Sequence, residues 1–516
     1  AGTLGLQLDS VNQEAVMPDT AQPRVHKDWD ADQFSRPTHE GDTQLEVQGM
    51  APIPAEGRYG RKFRLFTVWF APNLVPAAVF TGTLATASFI GLSLWTGVLA
   101  IILGNIIGAL PASFTAIMGP RTGMPQLPLS RIAFGRAIVV PGLANWLTTI
   151  AWDAINALFG SEALVVLFHL PFWLGLVIII AAQGTLAVFG FELIHTFEKW
   201  ASIVLGGIFV ILTVKIALIG NIHVPQQTHG GPAVGGFLLM VAIVAGFTIG
   251  YSGYASDYTR YYKADISGWA VGWRTLAGLA LSSAWLEILG LLVASKLAGD
   301  QTSRGIYHLM GGGFLGVLAM LGIAVGTVAI DAMDDYTGSL SLQSTGIRIS
   351  RPVSAAIVGI GGFALALYMY EGNVVSTFEN IVLFSGYWAA PYVAIVLSEW
   401  WLRKGQVNVG ELLHLRDLET GWEGLIALLV GFGAAVPSMD ATIFVGPVSS
   451  GPLYGGDIAY EVGFVVAGAV YLVLRMFTRA RAAARMAGPP TAAALATAPA
   501  AGPEGITDSA DMPTAE

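Results

Sequence analysis

The chain has 516 residues, of which 54% are hydrophobic and 12% are charged, and its formal net charge is −9. A soluble globular domain carries about 25% charged residues, so this composition excludes an ordinary soluble protein and predicts helices embedded in a membrane. The sequence contains no cysteine, which excludes a disulfide framework and a thiolate metal site.

Two polar segments flank a long apolar region. Residues 1–60 are acidic and lack the apolar core of a secretory signal, and we expect them to form a disordered cytoplasmic tail. Residues 480–516 are rich in Ala and Pro and predict a second disordered cytoplasmic tail. The membrane domain is therefore expected to cover residues 61–479.

Twelve apolar runs follow one another in this domain. A helix rises about 1.5 Å per residue, so about 20 residues cross a hydrocarbon core of about 30 Å. The predicted spans cover residues 66–91, 94–118, 138–168, 171–190, 200–220, 234–255, 270–297, 313–342, 353–371, 379–402, 423–437 and 458–477. The sequence therefore predicts an all-α integral membrane protein with twelve transmembrane helices.

Lys and Arg residues lie almost entirely on one side of this arrangement. With the N-terminus inside, the predicted outer loops hold only Lys296 and Arg304, and the loops 221–233 and 438–457 hold neither residue type. Cytoplasmic loops are the ones that carry an excess of Lys and Arg. We therefore expect both termini in the cytoplasm. The Ala-rich termini indicate a bacterial protein, which places it in the inner membrane.

The first and sixth predicted spans contain residues that interrupt a helix. In VWFAPNLVPAAVFTGTLA two prolines flank Asn73, and each removes a backbone donor from the helix. In AGFTIGYSGYASDYTRYY glycines recur at Gly246, Gly250 and Gly253. These glycines have a structural alternative, which is close packing against a neighbouring helix.

The two interrupted spans lie five helices apart. Because five is odd, two five-helix units have opposite orientations in the membrane. We therefore predict an inverted repeat with residues 66–220 and 234–402 as its halves, followed by two helices within residues 423–477. Interrupted spans at matching positions of such repeats indicate a central binding site, because irregular backbone at membrane depth is tolerated beside a cavity.

The third span offers an aromatic side chain and an amide on one face. Trp152 and Asn156 are four residues apart and therefore point to the same side of a helix. An indole plate beside a two-way hydrogen-bonding amide suits a planar heteroaromatic ligand, and Tyr251 at the break in the sixth span is expected to form the opposite wall. The structural alternative is a packing tryptophan and an interhelical hydrogen bond.

The eighth span carries three acids in the stretch AIDAMDDYTGSLSLQ. A charged Asp at the centre of a membrane helix costs roughly 2.5–3.5 kcal/mol on insertion scales. Asp331, Asp334 and Asp335 are spaced by three and four residues, so they are expected to share one broad face and line one cavity or interface. At least one is expected to be protonated or paired. The roles of Asp153, Glu162 and Glu287 in other spans stay open.

The sequence lacks the motifs of common enzyme classes. It contains no HExxH motif, no P-loop and no metal-binding constellation among its eight histidines. We therefore expect no enzyme activity, no cofactor, no bound metal and no nucleic-acid partner. The expected partners are a small heterocyclic molecule and the lipid bilayer.

Seven motifs occur in an order that resembles one family of membrane proteins. They are WFAPNLVPA, MPQLPLSRIAFG, AWDAINALFG, YASDYTRYY, DDYTGSLSLQSTG, ENIVLFSGYWAAPY and GPLYGGDIAYEVGFVV, spread between about residues 61 and 479. Together they resemble the nucleobase:cation symporter-1 family, and within it the purine–cytosine permease branch. The resemblance implies a leucine-transporter-type five-plus-five inverted repeat, alternating access coupled to H⁺ or Na⁺, and a substrate among helices one, three, six and eight.

The resemblance also implies roles for single residues. Trp152 and Asn156 match the family's helix-three positions, Tyr251 its helix-six aromatic position, and Asn73 lies near its helix-one polar position. Asp331 falls where relatives read the base with an asparagine. The substrate-binding residues expected on this basis are Asn73, Trp152, Asn156, Gly250, Tyr251 and Asp331.

The same comparison bears on the coupling ion. Sodium-coupled relatives place small hydroxyl residues just before the position of Asp331, whereas Ala329 and Ile330 offer no side-chain oxygen here. H⁺ is therefore expected ahead of Na⁺, with Asp331 and Asp335 as its binding residues. Protonation would give an acceptor-only carboxylate a donor and so join proton binding to substrate binding.

The sequence thus predicts a symporter that imports a nucleobase or a related nitrogen heterocycle. The alternative is a symporter of the same fold for hydantoin, allantoin or a vitamin-type substrate, with Na⁺ coupling as a further option. A membrane receptor or a membrane-embedded enzyme is the remote alternative.

Overall fold

The computed structural model describes residues 50–54, 57–58, 62–189, 191–220, 222–296, 303–347 and 351–487. The two predicted tails therefore lie mostly outside the described residues. The helices are, in chain order, α1 (Lys62–Phe70), α2 (Pro76–Thr83), α3 (Leu94–Ala116), α4 (Met118–Thr122), α5 (Gln126–Phe134), α6 (Val139–Phe168), α7 (Phe172–Phe189), α8 (Phe191–Ile219), α9 (Gly231–Ile249), α10 (Ala255–Thr259), α11 (Gly268–Val293), α12 (Ser303–Leu309), α13 (Gly313–Ser344), α14 (Arg351–Glu371), α15 (Val374–Leu402), α16 (Trp422–Ala435), α17 (Pro447–Ser450) and α18 (Ala459–Ala487). A short antiparallel pair, β1 (Asp440–Ala441) and β2 (Phe444–Val445), joins α16 to α17.

Helices of membrane-crossing length make up most of the described chain. Within it, nine helices are long and apolar enough to cross a membrane, and the bent pair α1–α2 makes ten if it counts as one span. Two shorter apolar helices, Phe172–Leu186 and Trp422–Ser438, occupy the positions of the fourth and eleventh predicted spans. The architecture is that of a helical multi-pass membrane protein.

Large apolar side chains on the outer surface agree with that assignment. Trp95, Leu218, Trp269 and Phe314 are each at least 78% exposed. Soluble monomers rarely expose contiguous apolar patches beyond a few hundred Å², whereas lipid solvates such side chains. The buried polar residues of the described chain lie between the helices, away from this outer surface.

The first span breaks where its sequence predicts a break. α1 ends at Phe70, a 3₁₀ turn covers Ala71–Asn73, and α2 begins at Pro76. The two helical parts are bent by 62° relative to each other. Proline is tolerated at the first position of a helix because its missing N–H would have no partner there. The Asn73 amide nitrogen donates to the Trp69 carbonyl at 2.9 Å and so bonds to part of the freed backbone.

The sixth span is interrupted as well. α9 ends at Ile249, a 3₁₀ turn covers Gly250–Gly253, and α10 resumes at Ala255. The glycines here have two different surroundings. A Cβ added at Gly246 would lie 2.6 Å from the Val382 carbonyl oxygen, so that glycine allows close packing on α15. A Cβ at Gly250 would meet nothing within 4 Å.

Both breaks are buried between the packed helices. α6 packs along α13, and α3 lies between α9 and α11. Gly160 on α6 allows a close approach, because an added Cβ would lie 2.7 Å from the Thr327 methyl group of α13. Glycine at such crossings lets two backbones come together without a side chain between them.

Part of the predicted N-terminal tail is packed against the helices. Ile53 is 1% exposed, and its N–H donates to the Gly123 carbonyl at 2.9 Å. Arg58 donates to the carbonyls of Ile53 at 2.9 Å and of Pro120 at 2.6 Å. The packed part of the chain therefore begins before residue 61, the predicted start of the membrane domain.

Candidate functional site

A cavity lies where the two interrupted spans meet α6 and α13. It is lined by Pro72, Val75, Thr148, Thr149, Trp152, Asn156, Phe247, Gly250, Tyr251, Tyr254, Ile330 and Asp334. These residues come from the break after α1, from α6, from the end of α9 with its following turn, and from α13. The lining combines four aromatic rings with a few polar groups, which is the usual composition of a small-molecule site.

Two predicted aromatic side chains form parts of the wall. Trp152 is half-buried, and its ring meets Phe247 edge to face with the centroids 5.1 Å apart. Tyr251 is 8% exposed, and its hydroxyl donates to Asn73 Oδ1 at 3.1 Å. Trp69 supports Tyr251 from behind in an edge contact at 5.9 Å. The cavity therefore has rigid aromatic walls on α6 and on the turn after α9.

The polar residues at the cavity come from α6 and α13. Asn156 is 5% exposed and lies one helical turn beyond Trp152, so both line the cavity from one face of α6. Asp334 lines it from α13. An amide and a carboxyl group that face the same space can form several directed hydrogen bonds to the edge of a planar ligand.

The three acids of α13 do not all line the cavity. Ile330 and Asp334 face it, whereas Asp331 and Asp335 are not part of its lining. Successive residues of a helix are rotated by about 100°, so the pair Ile330–Asp334 and the pair Asp331–Asp335 form adjacent stripes. Asp331 nevertheless lies next to the Asn156 side chain. The predicted common face thus splits into a cavity stripe and a buried stripe.

Asp331 and Asp335 belong to a buried polar group behind the cavity. Both carboxyl groups are at most 1% exposed, and none of their four oxygens makes a hydrogen bond of normal geometry, although the Asn156 amide lies beside Asp331 and the Gln183 amide beside Asp335. Asp153 of α6 completes the group and accepts a hydrogen bond from Gln183 of α7. No ion pair within the described chain involves any of the three acids. Carboxyl groups buried together in this way cannot all stay ionised.

Several of these residues have no counterpart among the sequence-based site predictions. Asp153 and Gln183 lie in different spans, and only their packing shows that they are partners. Thr148 and Thr149 precede Trp152 by four and three residues, so the helical spacing that selected Asn156 also points to them. Phe247 lies three residues before Gly250 and Tyr254 four residues after it, so the predicted glycine break also points to these two rings.

The cavity is narrow in this conformation. Its volume is about 30 Å³, which is enough for only a few water molecules. Sites for small organic ligands usually enclose about 300–1,000 Å³. A heterocycle therefore requires the aromatic walls to move apart.

A larger cavity of about 760 Å³ lies elsewhere, between α5, α16 and the segment 403–421. Its lining includes the charged residues Arg131, Arg403, Asp417 and Glu423, and none of its residues lines the cavity at the two breaks. The mixed charges and the lack of Phe, Tyr and Trp in its lining do not suit a flat, neutral heterocycle. The smaller cavity is the better candidate site for such a ligand.

Comparison with known sequences decides the family. Residues 52–463, about four-fifths of the chain, match the family described as "Permease for cytosine/purines, uracil, thiamine, allantoin". The chain belongs to this permease family. The resemblance noted from its motifs is thereby confirmed.

Individual relatives match over most of their length. The purine–cytosine permease FCY21 of Saccharomyces cerevisiae is 29% identical over 459 residues, which cover 84% of this chain and 86% of the relative. The purine–cytosine permease fcyB of Emericella nidulans is 28% identical over 456 residues, covering 84% and 89%. These members of the permease family are transporters, so the expectation of a non-enzyme agrees with its relatives.

A solved structure shares the fold. MHP1, a nucleobase-cation-symport-1 family transporter in a closed conformation with bromovinylhydantoin bound, superimposes with a TM-score of 0.68. The two chains are 16% identical, and the match covers 83% of this permease and 95% of MHP1. This likeness extends the family assignment from sequence to architecture.

Proposed function

We propose that this permease is a secondary active transporter that imports a nucleobase of the cytosine or purine type, or a related nitrogen heterocycle, by proton symport. The observation that carries the proposal is the cavity at the meeting point of two interrupted spans, where Trp152, Asn156 and Tyr251 face one space. Interrupted spans beside a central cavity are the arrangement that transporters use to hold substrates at mid-membrane.

The proposed architecture has twelve transmembrane helices. The first repeat covers about residues 66–220 and the second about 234–402, and two further helices follow within residues 423–477. The breaks after α1 and α9 fall at matching positions of the two repeats, which supports the inverted arrangement. We place both termini in the cytoplasm on the distribution of Lys and Arg, and in a bacterial cell on the Ala-rich composition of the termini. Alternating access then moves the breaks between an outward and an inward state.

In the proposed binding mode the heterocycle stacks on Trp152, and Tyr251 closes the opposite side. Asn156 forms hydrogen bonds to the edge of the ring, with Asp334 as a second polar contact from α13. Asn73 holds Tyr251 in place, and Gly250 leaves space for the ligand because no side chain stands there. We retain Asp331 as a substrate contact because it lies next to Asn156. For its carboxyl group to reach the ligand, α13 must rotate slightly when the cavity opens.

The proposed coupling ion is H⁺. The carboxyl oxygens of Asp331 and Asp335 are buried without a hydrogen bond of normal geometry, and a proton supplies the donor that a carboxylate lacks. Ala329 and Ile330, just before Asp331, provide no hydroxyl oxygen for a sodium ion. Binding of a proton beside Asn156 then changes the hydrogen bonds available to the substrate, so the two binding events favour each other.

Uptake into proteoliposomes tests the proposal. The assay uses cytosine, adenine, uracil, thiamine, allantoin and hydantoin as substrates, with an imposed proton gradient and with or without sodium. We expect accumulation of at least one nucleobase, its loss on addition of a protonophore, and no requirement for sodium. Strict sodium dependence that survives collapse of the proton gradient would contradict the coupling, and retention without accumulation would indicate a receptor.

The variant Asp331→Asn addresses the coupling residue. We expect it to alter the pH dependence or the substrate choice of uptake more than the amount of protein in the membrane. Asp335→Asn is the companion variant, since its carboxyl group belongs to the same buried stripe. Transport with an unchanged pH profile in Asp331→Asn would remove this residue from the site.

A second candidate is a symporter for hydantoin, allantoin or a vitamin-type substrate. The family description includes thiamine and allantoin, and the solved relative MHP1 was captured with a hydantoin derivative. Competition against uptake of the best nucleobase distinguishes the candidates. Inhibition by a hydantoin or thiamine at lower concentrations than by any base would favour the alternative.

A further inference from the structure

A second buried carboxyl group lies apart from the cavity. Glu287 of α11 is fully buried, and Asn105 of α3 beside it is 1% exposed. The Asn105 nitrogen donates to Glu287 Oε2 at 2.5 Å, which joins residues 182 positions apart in the chain. Neither residue lines the cavity described above.

The orientation of the Asn105 amide follows from its second hydrogen bond. The same atom donates to the Ile101 carbonyl at 3.0 Å. Of the two ends of an amide only the NH₂ group can donate, so this atom is the nitrogen. Both hydrogens of the amide are therefore in use. Two buried oxygens remain without a partner, Glu287 Oε1 and Asn105 Oδ1. A buried acceptor without a donor has lost its hydrogen bonds to water and gained none in exchange.

Within the described residues, no ion pair involves Glu287. Of the helices that pack against α11, α2, α3 and α9 contain no ionisable residue. α8 reaches α11 at Trp285, whose indole N–H donates to the Thr213 hydroxyl at 3.1 Å, and Lys296 ends the turn after α11. On α11 itself the other charged residue is Arg274, thirteen residues earlier and so about 20 Å away along the helix. α1 approaches α11 at Gly278, about 13 Å before Glu287. The Lys215 amine of α8 donates a hydrogen bond to the Met310 carbonyl at 2.8 Å.

We propose that Glu287 is a proton-binding site, in which the protonated acid and the Asn105 amide exchange two hydrogen bonds. The amide nitrogen donates to Oε2, as observed, and a proton on Oε1 donates to Asn105 Oδ1. One proton taken up from water thus provides the donor for both unpaired oxygens, and no covalent bond breaks. A cation of the size of sodium would need several oxygen ligands, whereas this pair offers two oxygens.

The position of the pair gives the proton a role in helix packing. A Cβ added at Gly82 of α2 would lie 1.8 Å from the Glu287 carbonyl oxygen, and one added at Gly290 would lie 1.9 Å from the Val79 carbonyl oxygen. α2 therefore packs backbone against backbone on the turn of α11 that carries Glu287. The chain just before α2 lines the cavity through Pro72 and Val75. Loss of the proton leaves a buried charge beneath α2 and weakens the packing of this half of the broken span.

Infrared spectroscopy of the purified full-length permease in liposomes tests protonation directly. We expect a carbonyl band of a protonated carboxyl group at neutral pH that is missing from Glu287→Gln, while bands of the buried aspartates remain. The same band should shift in Asn105→Leu because a hydrogen bond is lost. Glu371→Gln, at an exposed helix end, is the matched control and should leave the band unchanged. Wild-type protein with carboxyl-labelled glutamate should show an isotope shift of the same band, which keeps the test valid if a variant fails to fold.

An identical spectrum in wild type and Glu287→Gln, or a band that does not shift with labelled glutamate, would overturn the proposal. So would loss of the band on addition of sodium at constant pH, because a metal cation would then compete for the site.

A role of Glu287 in transport would extend the proposed function and rests on it. We expect Glu287→Gln to reduce proton-driven accumulation about tenfold, a common size for coupling between two binding events, while substrate exchange without a gradient persists. Normal accumulation in Glu287→Gln would contradict a role of this residue in transport. The infrared band would still show whether Glu287 binds a proton. Absence of any uptake by wild-type protein would instead refute the proposed function and leave the infrared result intact.

Discussion

The hydroxyl group of Tyr251 donates a hydrogen bond to Asn73 Oδ1 at 3.1 Å, and this bond joins the two interrupted spans. Tyr251 lies in the 3₁₀ turn after α9, and Asn73 ends the 3₁₀ turn after α1. Asn73 also bonds to the Trp69 carbonyl, so its amide connects the freed backbone of one break to the aromatic wall of the other. The two breaks therefore form one structural unit at the cavity.

Tyr251→Phe removes the donor of this bond. Asn73 Oδ1 then stays buried without its partner, which costs about 1–3 kcal/mol. We expect a lower melting temperature and a weaker affinity for the transported heterocycle, measured by thermal shift and by equilibrium binding. Tyr368→Phe is the control, because Tyr368 is 66% exposed. Equal melting temperatures and affinities for Tyr251→Phe and wild type would show that the bond does not couple the breaks.

Two glycines of the sixth span should respond differently to alanine. A Cβ at Gly250 meets open space, whereas a Cβ at Gly246 lies 2.6 Å from the Val382 carbonyl oxygen. We expect Gly250→Ala to fold normally and bind substrate more weakly, because its methyl group enters the cavity. Gly246→Ala should lower the melting temperature, because two backbones must separate. Thermal stability and ligand affinity are measured for both variants. A destabilised Gly250→Ala together with a stable, weakly binding Gly246→Ala would argue against this placement of the cavity.

Glu399 organises a buried ion network between α15 and α18. Its side chain is fully buried and pairs with Arg403 at 2.7 Å and with Arg475 at 2.8 Å. The Tyr471 hydroxyl donates to the same carboxylate at 3.0 Å. Glu399→Ala removes both short ion pairs and leaves Arg475 only the longer contact with Glu423 at 3.7 Å. Breaking a buried pair in this way typically costs about 3–5 kcal/mol. We expect a large drop in melting temperature, compared with little change for the exposed Glu371→Ala.

Asp457 predicts a pH-dependent stability in the loop before α18. Its carboxylate accepts hydrogen bonds from the Tyr387 hydroxyl at 2.5 Å, the Asp440 N–H at 2.8 Å and the Ala459 N–H at 2.8 Å. Burial raises the pKa of Asp457 to about 6, although these hydrogen bonds act to lower it. An unfolded Asp has a pKa near 3.9. The folded protein therefore holds the proton more tightly than the unfolded chain.

The sign of the effect follows from that difference. The contribution of Asp457 to stability is complete below about pH 4 and is lost as the pH rises through about 6. One proton contributes a slope of at most about 1.4 kcal/mol per pH unit. We expect the melting temperature of Asp457→Asn to vary less between pH 4 and 6 than that of the wild type. Parallel curves for the two proteins would show that Asp457 does not titrate in this range.

Local sequence patterns were sufficient for the elements that depend on neighbouring residues. The two prolines beside Asn73 and the glycines after Ile249 predicted both interruptions, because proline and glycine act on the backbone at their own positions. The four-residue spacing of Trp152 and Asn156 predicted a shared face, and both residues line the cavity. The ordered motifs indicated the family. Each of these conclusions requires only the geometry of a single helix.

Only the tertiary structure decided how helix faces meet. Spacing placed Asp331, Asp334 and Asp335 on one broad side of α13, but the rotation of that helix against α6 put Asp334 at the cavity and the other two behind it. The partners Asp153–Gln183 and Asn105–Glu287 are 30 and 182 residues apart, and no local pattern connects them. Helical periodicity specifies which side chains point together; long-range packing determines what they point at. The function of a buried acid depends on that second fact, because its neighbours decide whether it has a donor.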